Sequence, residues 1–308
     1  MKKSIVLLTA ITLLFSCKSN YTKIGDKNAN YIPYYLKVYE ADSLYLTGNY
    51  TRSYKILHKL FKKYEPINMP LYFEYENYIK MAIYFNKKSE NNIINLASNY
   101  NYDYSIFEND SLLNIGLKRN KITKVKIDEY HTYFERKIDT NYRNTLNLMN
   151  LEDQEIRNQK NSNSNSIKTI DFKNDSILKK YLVNKGFPIL KVVGNWKKMN
   201  NESENKDVNL NVILIHLSNY NNWFNENEKQ FLQFVKEGYL MPTIYAQMFD
   251  KNYKKNKNDS YYHFLFSNIL FEEIDLELKK AINNRRKLIG LPSVDYQKIH
   301  YQKRIINN

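Results

Sequence analysis

The chain has 308 residues, a formal net charge of +15 and a single cysteine. Its 7 glycines and 6 prolines make about 4% of the sequence against about 12% in average proteins, which excludes collagen-like, glycine-linker and propeller-type repeat architectures. One cysteine excludes a disulfide scaffold or a cysteine-built zinc site, and 28 tyrosines with 15 phenylalanines exclude a disordered polyelectrolyte. The composition predicts a folded, mostly α-helical protein with chain enough for about two domains. The excess charge is lysine scattered among asparagines, as between Lys118 and Lys126 and between Lys251 and Lys257. Such runs predict solvated faces, and no nucleic-acid partner is expected.

At the N-terminus, Met1-Lys2-Lys3 precedes a run from Ile5 to Phe15 that is apolar apart from Thr9 and Thr12. The run is too short to span a bilayer of about 30 Å and has the charged and apolar parts of a secretory signal. The stretch Leu14-Phe15-Ser16-Cys17 resembles the bacterial lipobox. That resemblance implies removal of residues 1–16 and acylation of Cys17, so that membrane lipid holds the mature chain while its body stays in water. Two or more acyl chains anchor stably where one does not. Lys18-Ser19-Asn20 carries no acidic run, and a periplasm-facing place in the cell envelope is expected. Residues 17–30 read as a polar tether.

From 31 to 145 the apolar residues recur at helical spacing. Leu36, Tyr39 and Leu44, then Tyr50, Tyr54, Leu57, Leu60 and Phe61, form two stripes broken at Gly48-Asn49. With Ala41, Gly48, Tyr50, Leu57 and Pro66, this hairpin resembles a tetratricopeptide repeat, although Ser53 stands where that family prefers alanine and the proline is displaced by one. A second pair is predicted over Tyr72–Phe85 and Glu90–Ser98. Asn109 or Asp110 should cap a short helix before Gly116, and Ile122–Leu148 reads as one long helix. Helical repeats usually need three or more stacked pairs, so this module should lean on the rest of the chain. The repeat resemblance implies a concave, tyrosine-lined surface for a protein or peptide partner; the alternative is that the tyrosines are core.

The region 146–302 begins with helical periodicity and then a polar run, Asn158 to Ser166, that predicts a loop over 158–170. Asp175 to Lys185 reads as a helix closed by Gly186 and Pro188. Asn225 with Glu228 has the spacing of a capping box before Phe231, with Gly238 at the helix end. Ile274, Leu278, Ala281, Ile282 and Ile289 form another stripe, stopped by Gly290 and Pro292. Val208, Leu210, Val212, Leu214 and His216 alternate as in a strand. Residues 303–308 read as a tail.

Taken in order, Asp153-Gln154 with Arg157, Gly186-Phe187-Pro188, Val193-Gly194, His216, Asp250-Lys251 and Arg285-Arg286 through Gly290-Leu291 resemble an uncharacterised bacterial domain-of-unknown-function family. The resemblance implies a helix over 207–218 and supplies no activity. The chain departs from that family at Lys251, where an arginine is usual, and at Tyr261-Tyr262-His263-Phe264.

Asp153, Gln154, Arg157, His216, Asp250 and Arg285 are the candidate binding residues. If they converge, His216 acts as acid or base held by Asp250 while an arginine grips an anion in a forked geometry. If they do not, Asp153–Arg157 is a helix surface pair and Asp250–Arg285 a structural ion pair. No glycine-rich phosphate loop, His-Glu-x-x-His or Gly-x-Ser-x-Gly is present, and the histidines at 58, 131, 216, 263 and 300 are dispersed. No metal or other cofactor is expected. Three readings stand: a protein- or peptide-binding lipoprotein, a hydrolase-like enzyme or small anionic-ligand binder using His216, Asp250 and Arg285, and a structural envelope component.

Overall fold

The computed structural model describes residues 21–159, 163–194, 210–257, 260–264 and 275–303. The signal run 1–16, Cys17, the stretch 207–209 and Ile274 lie outside these residues. Among the described residues the regular elements are helices, as composition predicts, and one isolated bridge joins Thr22 to Tyr64. No helix among them is long and apolar enough to cross a membrane.

The predicted hairpin is present as α1 (Ile32–Leu46) and α2 (Tyr50–Leu60). Gly48 takes the left-handed backbone the turn requires, and Asn49 caps α2 by accepting the Arg52 N–H. Ser53 is buried where a repeat would carry alanine, and its hydroxyl donates to the Ala41 carbonyl at 2.8 Å, so the extra polar atom is satisfied. α3 (Glu74–Tyr84) packs on α2, but α4 (Glu90–Tyr100) leaves the stack. It packs chiefly on α7 (Lys124–Lys137), beyond α5 (Tyr104–Asn109) and α6 (Ser111–Arg119). Asp110 caps α6 as expected. Gly116 lies inside α6 rather than after it, because Ile83 comes within 2.5 Å of where a Cβ would stand.

The single helix expected over Ile122–Leu148 is two, α7 and α8 (Thr140–Asn158). Ile138 is extended, the Asp139 carboxylate accepts the Tyr142 N–H, and its own amide donates to Val192 O at 2.8 Å. A helix start with tertiary support outcompetes the continuous periodicity. The loop expected over 158–170 is also corrected. α9 runs Ser164–Lys185 because Asn163 accepts the Ser166 N–H at 2.8 Å and Ile170 buries itself in the first turns. α10 (Leu190–Val193) follows.

α11 (Leu210–Leu217) is helical and buries Leu210, Ile213, Leu214 and Leu217, a 3.6-residue pattern that the period-two alternation had masked. α12 (Asn221–Lys236) starts a turn before the expected capping box, placing Asn225 and Glu228 inside it, since burial of Trp223 and Phe224 extends the helix backward. α13 (Pro242–Lys257), α14 (Leu276–Leu288) and α15 (Val294–Tyr301) complete the chain.

One apolar core runs across both halves. Tyr35 of α1 donates to Val235 O, and the Tyr296 hydroxyl of α15 donates to Asp42 Oδ2 at 2.6 Å. Many tyrosines of the first module are therefore core residues whose hydroxyls reach an internal acceptor, Glu74 for Tyr34 and Pro66 O for Tyr100. The described part of the tether, from Tyr21 onward, is docked rather than free. Thr22 exchanges backbone bonds with Lys63 and Glu65, and Gly25 and Tyr31 donate to Glu237 O and Lys236 O.

Candidate functional site

α8, α9 and α11 pack side by side and bring four of the six candidate residues together. α8 turns Asn147, Asn150, Asp153 and Arg157 onto one face by their three- and four-residue spacing, and all but Arg157 are buried. Asp153 is 0% exposed. Its Oδ1 accepts from Arg157 Nε at 3.0 Å, its Oδ2 accepts from Gln154 at 2.8 Å, and His216 Nδ1 of α11 lies 3.0 Å from Oδ2. The same guanidinium reaches across to Asp171 of α9, whose other oxygen accepts the Tyr220 hydroxyl at 2.8 Å. Arg157 thus ties two helices through two buried carboxylates, in the fork geometry that suits guanidinium.

The electrostatics follow from this arrangement. Burial pushes Asp153 up, but the contacts of His216 and then Arg157 outweigh it and hold the carboxyl below its usual range. Asp171 stays above the usual range because burial outweighs the pull of Tyr220 and Arg157. Lys251 of α13 feels both Arg157 and Asp171. Burial and then the Arg157 charge lower its ammonium, with only partial compensation from Asp171. Among the described residues Lys251 has no hydrogen bond or ion pair, a half-buried cation beside another cation.

The structure places the remaining two candidates elsewhere. Asp250 does not hold His216; its buried carboxylate accepts from Ser260 Oγ at 2.8 Å and from the Tyr262 and Phe264 amides at 2.7 Å each, pinning the 260–264 loop. Arg285 does not pair with Asp250. Its guanidinium lies 4.5 Å from the Tyr261 ring centroid. Of the two neighbouring arginines the buried one is Arg286, which donates to the carbonyls of Tyr262, His263 and Pro292. Burial lowers Arg286 to about 10 against the attraction of Asp250. The helical face settles the choice, because Ile282 and Arg286 sit four apart on the buried side of α14.

Asp171, Tyr220 and the unpaired state of Lys251 were not visible in the sequence. Asp171 fell between the loop expected to 170 and the helix expected from Asp175; with the helix starting at Ser164, Ile170, Asp171, Asn174 and Leu178 form one buried face with polar members. Asn174 is fully buried and neither side-chain atom has a hydrogen-bond partner among the described residues, an unusual residue to find between packed helices.

Asp153, Asp171 and His216 each offer a ligand atom within 4.8 Å of the others, a set that a divalent cation could use. The Arg157 guanidinium already bonds both carboxylates, so a metal would have to displace it, and the set does not fit a metal with Arg157 in place. Comparison with known proteins gives no guide to the site: no family model, curated protein or solved structure matches the chain.

Proposed function

We propose that this protein is a lipid-anchored cell-envelope protein whose C-terminal helices bind a small anionic ligand between Lys251, Arg157 and His216. The carrying observation is Lys251, half-buried beside Arg157 with no bonded partner among the described residues. A partly desolvated ammonium that feels the repulsion of a guanidinium is unfavourable by itself, and an anion bound by both would relieve both. Arg157 spends Nε and one terminal nitrogen on Asp153 and Asp171, leaving the other terminal nitrogen for a ligand. The N-terminal signal pattern and the sole cysteine at Cys17 support the anchor.

The Asp153–His216 contact favours a second reading in the same place. A carboxylate on Nδ1 fixes the imidazole and directs Nε2 away from it, the arrangement of a general acid or base. Such a histidine would exchange a proton with the bound anion, in a hydrolase-like role.

Isothermal titration of the purified protein with inorganic phosphate, sulfate and acetate tests the proposal. At least one should bind saturably, and Lys251→Met, which keeps most of the aliphatic stem, should weaken it about tenfold or more with little change in thermal stability, since no hydrogen bond or ion pair among the described residues is lost. Equal affinity in the folded variant, or no binding of any of the three, would sink the assignment.

A further inference from the structure

A cavity of about 350 Å³ lies away from the anion site, where the N-terminal module meets the C-terminal helices. Its wall is formed by Phe73 and Tyr102 from the first module, Leu146 of α8, Phe187, Leu190 of α10 and Met241. Volumes of about 300 to 1,000 Å³ are typical of ligand pockets, and this one is at the small end.

The chemistry of the wall narrows the occupant. Its two charged side chains are both engaged, Glu76 with Lys80 and Lys191 with Glu65. Asn68 donates to Tyr102, which donates to Glu76, and Tyr100 donates to Pro66 O. Asn101 Oδ1 accepts from His131 Nε2 at 2.9 Å. No charge is left to read a charged head group, and the described residues offer no strand edge to read a peptide backbone. Two polar lining side chains have no hydrogen bond among the described residues, the Asn211 amide and the Tyr239 hydroxyl; the Tyr239 ring packs on Phe187 and Phe234, while Asn211 is half-buried and open to solvent.

The rim is built at a cost. Asn68, Leu71 and Phe73 all hold left-handed backbone, at φ 57°, 74° and 47°, which bulky L-residues rarely adopt. The segment is held there by Glu74, which accepts from the Met69 amide at 2.8 Å and the Tyr34 hydroxyl at 2.6 Å, and by Asn77 donating to Tyr72 O. Over-determined strain of this kind clusters at ligand clamps.

We propose that this cavity binds the aliphatic chain of a single-chain lipid with an uncharged head group, the head lying at Asn211. The volume admits one chain and not two, and the paired charges leave hydrogen bonding as the way to hold the head, for which the Asn211 amide offers both donors and an acceptor.

The test uses the chain carrying Cys17→Ser, purified without detergent, titrated with 1-alkanols and with dodecanoate below their aggregation limits. Dodecanol should bind one to one and more tightly than dodecanoate. Affinity should rise about fourfold per added methylene from hexanol until the cavity is full, then level or fall. Leu190→Trp and Ile106→Trp, which fill the cavity from two walls, should each weaken dodecanol about tenfold or more. Val183→Trp, at a position 85% exposed and outside the wall, should leave it unchanged, as should Lys251→Met in the separate anion site. Ile106 is 39% exposed, so its variant is expected to fold whether or not Leu190→Trp does. The proposal is overturned by absence of saturable dodecanol binding, by tighter binding of dodecanoate, by an affinity indifferent to chain length, or by unchanged affinity in the folded Ile106→Trp variant.

Discussion

Glu74 offers a quantitative test of the packing under the first module. Its side chain is buried beneath Tyr34 and the strained 67–73 segment, and burial raises its pKa from 4.5 to about 7, against the lowering effect of the Tyr34 hydroxyl and nearby amides. A folded-state pKa above the unfolded one gives stability that is fully present below pH 4.5 and lost as pH rises through about 7. A difference of about 2.5 units corresponds to about 3 kcal/mol at 1.36 kcal/mol per unit. The perturbation is Glu74→Gln, which keeps the shape and removes the titration. Urea unfolding of both proteins at pH 4.5 and pH 8 gives the stability of wild type minus variant at each pH, and this subtraction cancels the other titrating groups. The difference should fall by about 3 kcal/mol on going to pH 8. A difference constant within about 1 kcal/mol would refute the reasoning, because the carboxyl would then be ionising without penalty.

Arg286→Ala should destabilise by about 3 to 5 kcal/mol in urea unfolding, since it removes the donor to three carbonyls and leaves Asp250 without its buried countercharge. Arg285→Ala, which loses a ring contact, should cost about 0.5 to 1 kcal/mol, and equal effects would contradict the placement of the two arginines. Gly290→Ala should cost about 1 to 3 kcal/mol in the same assay, because φ is +80° and the new Cβ would stand 2.9 Å from Tyr35 Cδ2. Cys17→Ser should shift the protein from the membrane pellet to the soluble fraction of cells; retention in the pellet would count against a lipid anchor.

The helical class was legible because apolar spacing, caps and scarce glycine all point one way. The α1–α2 hairpin, the Asp110 cap and the Gly186 helix end could be read from local residues alone. Tertiary contacts hid the rest. The α7–α8 break depends on Val192 accepting from Asp139, and α9 begins early in an asparagine–serine run because Asn163 caps it and α8 covers its buried face. For the site, Asp153, Gln154, Arg157 and His216 were readable as polar residues within helical or apolar patterns. Which carboxylate His216 meets was not, since both Asp153 and Asp250 are buried and only the packing of α11 on α8 selects the first. Asp171 was missed because the helix was expected to start only at Asp175, whereas it starts at Ser164.

Histidine side-chain nitrogen NMR of the wild-type protein, with and without the tightest binding of phosphate, sulfate and acetate, tests the central claim most directly. The account predicts that saturating anion moves the His216 Nε2 resonance, while Nδ1 keeps its contact with Asp153 and the other four histidines stay in place. A saturated complex in which His216 does not respond, or in which His58, His131, His263 or His300 responds instead, would contradict it.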